Sequence, residues 1–181
     1  MTDSIDPSQL SALADRLAIE EVLARYCRGI DRCDSDELTR VFSEGALIDY
    51  GDGPKARDET IAGLMVGLSA MRLTHHNIGN VICEIDGASA RAETYCVALH
   101  IVPGGDQDGD IEMVVGGRYL DTLVKEEGAW RIAERIYIMD WNRQGAATMQ
   151  VSGGLYDTLV RRGARAPDDP SYKWWREGRA D

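Results

Sequence analysis

The order of the hydrophobic patterns predicts an α+β domain in which helices come first and an antiparallel sheet follows. Before residue 72, apolar side chains recur at steps of three and four, which is typical of amphipathic helices. After residue 72 the period changes, and four strand-like runs alternate with short turns. Strands joined by short turns favour an antiparallel meander, and helices followed by consecutive strands favour α+β over alternating βαβ units.

The helical half contains three predicted helices and one short strand. Residues 8–30 form the first helix, because apolar residues recur along one face as far as Ile30. Asp34 can cap the start of a second, short helix, and Asp58 can open a third. Residues 46–50 are predicted to form a strand, which ends at a turn rich in glycine.

The second half contains the sheet and a C-terminal extension. The four predicted strands cover residues 76–85, 90–101, 112–124 and 130–141. A last helix is predicted over residues 145–163, and the remaining residues resemble a tail. Trp174 and Trp175 are unusual in a free tail, so they are expected to pack on the body or on a neighbouring subunit. We therefore expect one domain over residues 1–145, and a helix and tail over 146–181 that pack on the body or on a neighbouring subunit.

Composition narrows the classes of function. The chain has 181 residues, with 20 Lys and Arg against 31 Asp and Glu, and a net charge of −11. Such a chain repels phosphates, so we expect no nucleic-acid partner and no membrane partner. It shows no signal-peptide pattern, and its four cysteines form no CxxC pair, so a cytoplasmic protein with reduced thiols is predicted.

Asp31 breaks the local pattern. It continues the buried stripe of the first helix and lies at that helix's C-terminus, where the helix dipole disfavours a carboxylate. A buried carboxylate costs several kcal/mol unless a donor or a cation meets it, so a partner is expected. The alternative is that loop backbone satisfies Asp31, or that it is exposed beyond the end of the helix.

Three histidines are available as partners. His75 and His76 are neighbours in a strand and point to opposite faces, so both cannot enter one site. Alternation places His76 with Ile78, Asn80 and Ile82, and it does not choose between the two histidines. His100 follows on the next strand, and the spacing of the three matches no metal motif. Each histidine, taken singly, can equally be structural.

Two further residues are candidates for a site. Tyr26 lies on the same helical stripe as Asp31, either as a core tyrosine or as a phenol facing a cavity. Arg135 interrupts an apolar strand, either as a solvated residue on an open face or as a buried cation directed at a carboxylate or a developing oxyanion.

The motifs together resemble a known family. Residues 25–31 (RYCRGID), 74–80 (THHNIGN), 116–121 (GGRYLD) and 128–132 (GAWRI) resemble the SnoaL-like branch of the nuclear-transport-factor-2-like superfamily over roughly residues 10–142. Within it, the chain is similar to lyases of the scytalone dehydratase, lindane dehydrochlorinase and bile acid 7α-dehydratase types. The resemblance implies a cone-shaped fold, in which a curved antiparallel sheet wraps around N-terminal helices and encloses a deep pocket.

The resemblance also implies roles. Asp31 would orient His76, rather than His75, as a catalytic base, and Tyr26, Arg135 and His100 would complete the active site. The expected walls of the pocket are Met65, Met113 and Val115.

The implied activity is a cofactor-independent dehydratase acting on a cyclic, largely apolar, hydroxylated small molecule. A homo-oligomer is expected, with a trimer favoured over a dimer. The alternatives are an isomerase, cyclase or dehydrohalogenase with the same dyad, or a non-catalytic binding module such as a dioxygenase β subunit.

Overall fold

A computed structural model describes residues 6–104 and 109–177, in which three N-terminal helices pack against one six-stranded sheet. The elements are α1 (Pro7–Arg32), α2 (Ser35–Val41), β1 (Phe42–Asp49), β2 (Lys55–Ala56), α3 (Arg57–Ser69), β3 (Leu73–Asp86), β4 (Ser89–Val102), β5 (Ile111–Glu126), β6 (Ala129–Ala146), a 3₁₀ helix (Gly154–Thr158) and α4 (Pro170–Glu177). The first five residues of the predicted domain and the last four of the predicted tail lie outside the described residues.

The sheet is curved and open, with strand order β2-β1-β6-β5-β4-β3, and it wraps the helices as expected for an α+β cone. Strands β3 to β6 form the predicted antiparallel meander. The sheet also contains one parallel pair that the sequence analysis did not predict, because β1 runs parallel to β6. The chain leaves β1 through α3 to the far edge, and the meander then returns until its last strand meets β1 in the same direction.

α1 supplies much of the core. Ile19, Leu23 and Ile30 are fully buried against the sheet and the neighbouring helices. The helix continues through Gly29, where a Cβ would collide with the side chain of Leu38 on α2. Glycine is therefore required by a close approach of two helices, and it does not end the helix before Asp31.

A bulge in β3 changes which residues share the inner face with His76. Asn80 has φ of 51°, and the pairing with β4 shifts between Gly79 and Val81. The extra residue reverses the alternation, so Val81 faces the core and Ile82 faces outward. The predicted grouping of His76 with Asn80 and Ile82 is thus wrong beyond Ile78, because one inserted residue moves all later side chains to the opposite face.

The C-terminal extension differs from the prediction. Residues 145–163 form no α-helix; β6 extends to Ala146, and the α-helix of the extension lies at Pro170–Glu177. Trp174 and Trp175 lie on this helix, are more than half exposed, and contact each other edge to face. Within the described residues, no helix is both long enough and apolar enough to cross a bilayer.

Candidate active site

The last turn of α1 places Asp31 against the start of β3, where its carboxylate accepts three hydrogen bonds. The hydroxyl of Thr74 donates to Oδ1 at 2.7 Å, and the backbone N–H of His76 donates to Oδ2 at 2.9 Å. Nδ1 of the His76 ring lies 2.7 Å from Oδ1. Asp31 is only 7% exposed, so the alternative of a solvated residue beyond the helix is wrong.

The charge state of Asp31 fixes the tautomer of His76. Burial favours a raised pKa for Asp31, but the hydrogen bonds and charge of His76, with the Thr74 hydroxyl, outweigh burial and hold the pKa below its usual value. An ionised carboxylate can only accept hydrogen bonds, so Nδ1 of His76 carries the proton. In the neutral form of this ring, Nε2 is the nitrogen that can accept another proton.

His100 completes this first cluster. Its ring meets the ring of His76 edge to face, with centroids 5.4 Å apart. Its Nδ1 is buried and has no hydrogen-bond partner among the described residues. Burial and the neighbouring charge of His76 lower the pKa of His100, although Asp31 opposes them. His100 is therefore a neutral, partly unsatisfied group beside the dyad.

A second cluster surrounds Arg135. Its Nε and Nη2 atoms donate to the two carboxylate oxygens of Asp121, each at 2.7 Å, and Arg135 is 1% exposed. The guanidinium lies between two tyrosine rings, 3.9 Å from the centroid of Tyr26 and 4.1 Å from that of Tyr119. The alternative of a solvated residue on an open face is wrong for Arg135. Its Nη1 is buried without a partner among the described residues.

Tyr26 connects this second cluster to another tyrosine. The hydroxyls of Tyr26 and Tyr50 are 2.7 Å apart, so one donates to the other. Burial raises the pKa of both phenols, more strongly for Tyr26, so both keep their protons at neutral pH. The pair forms a buried hydrogen-bond donor next to a guanidinium.

The two clusters are separate but adjacent. Tyr26 and Asp31 diverge on an unbroken helix, and their side chains bond to different partners, Tyr50 for Tyr26 and the start of β3 for Asp31. The buried thiols of Cys27 and Cys96 are within reach of the charges of both Asp31 and Arg135. Burial raises the pKa of Cys27 to about 12, so its thiol is protonated and inert.

A cavity of about 410 Å³ opens between α3 and β1. Tyr50 lines it, as do Leu68 and Met71 at the end of α3. Asp31 and His76 do not line it. The cavity therefore reaches the second cluster through Tyr50, and it ends beside the segment that leads into β3.

The expected wall residues lie elsewhere on the inner surface. Val115 is next to His76 in the sheet, through Ala98 of the intervening strand. Met113 pairs with His100, and Met65 is half-buried against the core from α3. None of the three expected wall residues lines the 410 Å³ cavity.

Reasoning from sequence missed Thr74, Asp121 and Tyr50. A period-two pattern places Asp121 on one face with two buried residues, Tyr119 and Leu123, so the argument applied to Arg135 also applies to Asp121. Thr74 is recognised as a site residue only from the hydrogen bond that its hydroxyl donates to Asp31. No local sequence pattern reveals that bond. Within residues 6–104 and 109–177, no group of three His, Cys, Asp or Glu side chains is arranged to hold a metal ion.

Known proteins share this fold. A protein of Kribbella flavida, Kfla4162, is 26% identical, with a TM-score of 0.69 over 73% of this chain and 95% of its own. A candidate scytalone dehydratase of Novosphingobium aromaticivorans is 22% identical, with a TM-score of 0.67 over 75% of this chain and 90% of its own. The hexachlorocyclohexane dehydrochlorinase LinA type 2 is 18% identical, with a TM-score of 0.70 over 81% of this chain and 99% of its own.

Sequence comparison gives the same family. An uncharacterized protein of Mycobacterium tuberculosis is 30% identical over 141 residues, which cover 73% of this chain and 91% of that protein. The model of the SnoaL-like domain matches residues 11–136, which include both clusters described above. The protein therefore belongs to the SnoaL-like domain family.

Proposed function

We propose that the protein is a cofactor-independent lyase that removes water from a cyclic, largely apolar, hydroxylated substrate. The observation that carries the proposal is the buried pair of Asp31 and His76, in which an ionised carboxylate holds Nδ1–H and leaves Nε2 free. A dehydratase needs such a base to take a proton from carbon beside the leaving hydroxyl. The structural neighbours include a candidate scytalone dehydratase and a dehydrochlorinase, and both names denote enzymes that catalyse eliminations.

His76 acts as the base in this proposal. Its Nε2 takes the proton, and Asp31 stabilises the imidazolium that forms. The three hydrogen bonds to Asp31 hold the carboxylate in place, so little reorganisation is needed when charge appears on the ring. A positioned base of this kind contributes roughly 10²- to 10⁴-fold in rate.

The Tyr26–Tyr50 pair acts on the leaving group. Its buried phenols are protonated at neutral pH and can donate to a departing hydroxide or to an enolate oxygen. The guanidinium of Arg135 beside the Tyr26 ring stabilises negative charge on that side, and His100 donates next to His76. A hydroxyl-donating pair favours hydroxide over chloride as the leaving group, which separates this proposal from dehydrochlorination.

The cavity supports the proposed substrate class. Ile48, Leu64, Leu68 and Met71 supply apolar side chains to its wall. Tyr50 and Thr60 add hydroxyls, and three charged residues also line it: Asp52, Lys55 and Glu59. Such a volume suits a small ring system with a few oxygen atoms. In this proposal the substrate enters between α3 and β1 and reaches His76 past Tyr50.

The test is turnover of deuterated cyclic alcohols by three single variants. His76→Ala is expected to abolish water loss, and Asp31→Asn to reduce it strongly because the tautomer is no longer fixed. His75→Ala is the matched control, since His75 is the adjacent histidine and its side chain faces outward. A slower rate with deuterium at the abstracted carbon identifies proton removal as the chemical step.

Other outcomes separate the alternatives. Rearrangement without loss of water would indicate an isomerase or cyclase that uses the same dyad. Tight binding of ring compounds without turnover, unchanged by His76→Ala, would favour a non-catalytic module and remove the proposed mechanism.

We also propose a cytoplasmic homo-oligomer, with a trimer favoured over a dimer. The outer face of the sheet carries exposed apolar side chains: Ile82, Tyr95, Val97, Leu120, Ile136 and Trp141. A patch of this kind on a folded chain is typical of a protein interface. Light scattering on protein eluted from a size-exclusion column measures the mass of the assembly and so tests the oligomeric state. Ile136→Asp is expected to lower that mass by dissociating the subunits.

A further inference from the structure

The carbonyl groups at the end of α1 are satisfied from two sources. The last four carbonyls of a helix have no partner within it. In α1 the carbonyls of Gly29 and Ile30 accept the N–H groups of Asp34 and Cys33, within a left-handed cap at Cys33. The next two carbonyls, of Asp31 and Arg32, accept instead from the C-terminal extension.

Two neighbouring residues of the extension supply these bonds. Arg165 Nη1 donates to the carbonyl of Asp31 at 2.6 Å, and the backbone N–H of Ala166 donates to the carbonyl of Arg32 at 2.7 Å. The segment therefore completes the cap of the helix that carries the proposed orienting acid. Arg165 thus holds the backbone of Asp31, the residue whose carboxylate must stay within hydrogen-bond distance of His76.

The same guanidinium reaches a second helix. Arg165 Nη2 donates to the carbonyl of Leu68 at 3.1 Å, in the last turn of α3, and to the carbonyl of Met71 at 3.4 Å, just after the helix. One cation thus lies at the negative ends of two helices, where positive charge is favourable. Both Leu68 and Met71 line the 410 Å³ cavity, so Arg165 links the backbone of Asp31 to the cavity wall.

The extension is itself anchored beside this contact. Asp169 is buried, its Oδ2 accepts the N–H of Ala164 at 2.9 Å, and the same oxygen lies 3.6 Å from Nε of Arg32. Tyr172 donates to the carboxylate of Asp34 just beyond α1. These bonds hold the turn around Arg165 in place at the ends of the two helices.

We infer that Arg165 is a positioning residue for the Asp31–His76 dyad, an inference that rests on the proposed function. It does not reach the reacting atoms. It fixes the backbone of Asp31 relative to the end of α3, and thereby sets the distance between the carboxylate and His76 Nδ1. A displacement of a catalytic group by about 1 Å is enough to cost roughly 10²-fold in rate.

The test compares Arg165→Ala and Arg165→Lys with Arg161→Ala, a matched control at an exposed arginine of the same segment. The first readout is the downfield proton resonance of His76 Nδ1–H, assigned by its loss in His76→Ala. Arg165→Ala is expected to broaden this resonance by faster exchange, Arg165→Lys to restore part of it, and Arg161→Ala to leave it unchanged.

The second readout is turnover. Arg165→Ala is expected to lower kcat by about 10- to 10²-fold, more than it raises KM, with partial rescue by lysine. Circular dichroism checks that each variant folds. If Arg165→Ala does not fold, Arg165→Gln replaces it, because glutamine keeps an amide donor but lacks the charge and the second donor nitrogen of the guanidinium. An unchanged resonance and an unchanged kcat in a folded Arg165 variant overturn the inference.

The two proposals fail differently. If His76→Ala abolishes turnover while the Arg165 variants match the wild type in both readouts, the positioning role is wrong and the proposed function stands. If His76→Ala leaves turnover intact while Arg165→Ala broadens the resonance, the dehydratase mechanism is wrong and the positioning role stands.

Discussion

Asp121→Asn should destabilise the protein far more than an ordinary loss of a salt bridge. Asp121 is 3% exposed, and its two carboxylate oxygens accept hydrogen bonds from Nε and Nη2 of the Arg135 guanidinium. The substitution leaves a fully buried guanidinium without its counter-charge. Removing one partner of a buried pair in this way costs about 3–5 kcal/mol.

The structure contains a matched pair on the other face of the sheet. Arg118 also makes two bonds to one carboxylate, that of Asp140, at 3.0 and 2.9 Å, but both side chains are partly exposed. Asp140→Asn should therefore cost far less than Asp121→Asn, because a solvent-screened ion pair contributes little to stability. The two substitutions remove the same charge from similar geometry, so their difference isolates the effect of burial.

Urea unfolding followed by circular dichroism measures both values. In thermal unfolding, each kcal/mol corresponds to about 2–4 °C in a chain of this size, so Asp121→Asn is expected to lower Tm by roughly 6–20 °C. The double variant Arg135→Met with Asp121→Leu should recover most of the loss, since replacing a buried pair with apolar side chains is often nearly neutral. Equal costs for Asp121→Asn and Asp140→Asn would refute this account of the second cluster.

Three further outcomes are expected. The folded pKa of Asp31 lies below the unfolded value of 3.8, so its carboxylate stabilises the fold fully above about pH 5. This contribution is lost as the pH falls past 3.8 and through the lower folded pKa, so the free energy of unfolding of Asp31→Asn should fall less steeply with acidification than that of the wild type. The folded pKa of His100 is below 6.5, so on acidification the imidazole is protonated in the unfolded chain before it is protonated in the folded one. The wild type should therefore lose stability as the pH falls from about 7 to 5, and His100→Gln should lose less. Gly117→Ala should destabilise by about 1–3 kcal/mol in urea unfolding, because its Cβ would collide with the carbonyl oxygen of Ile138, whereas Gly145→Ala, with open space around it, should change stability by less than about 1 kcal/mol.

Local periodicity was sufficient for the parts of the fold that depend on neighbours in sequence. The stripe of α1 identified Asp31 as a buried charge, and the change of period near residue 72 located the meander. The resemblance then selected His76 over His75, which alternation alone left open. The structure places the ring of His76 on Asp31 and the side chain of His75 outside.

The remaining features depend on contacts between distant segments. The parallel pairing of β1 with β6 requires knowing which strand lies at the sheet edge, and the reversal after Asn80 requires knowing that the residue adopts a positive φ. Arg165 lies in an irregular segment far along the chain from Asp31, and no period marks it. Sequence periodicity indicates which face of a helix or strand is buried. The features named here depend instead on strand register and on how the C-terminal extension packs against the domain.

The chemistry of the two buried carboxylates differs because their partners differ. Asp121 faces a guanidinium whose pKa stays well above its usual value despite burial, so this pair exchanges no proton near neutral pH. Asp31 faces an imidazole, which can accept a proton at Nε2 and return it while the carboxylate stays ionised. Of the two pairs, only the proposed dyad is therefore suited to a cycle of proton transfer, and in the proposed mechanism Arg135 acts as a fixed charge beside Tyr26. This division predicts that a variant at His76 changes the proposed reaction while leaving the second cluster intact, whereas a variant at Asp121 changes stability first.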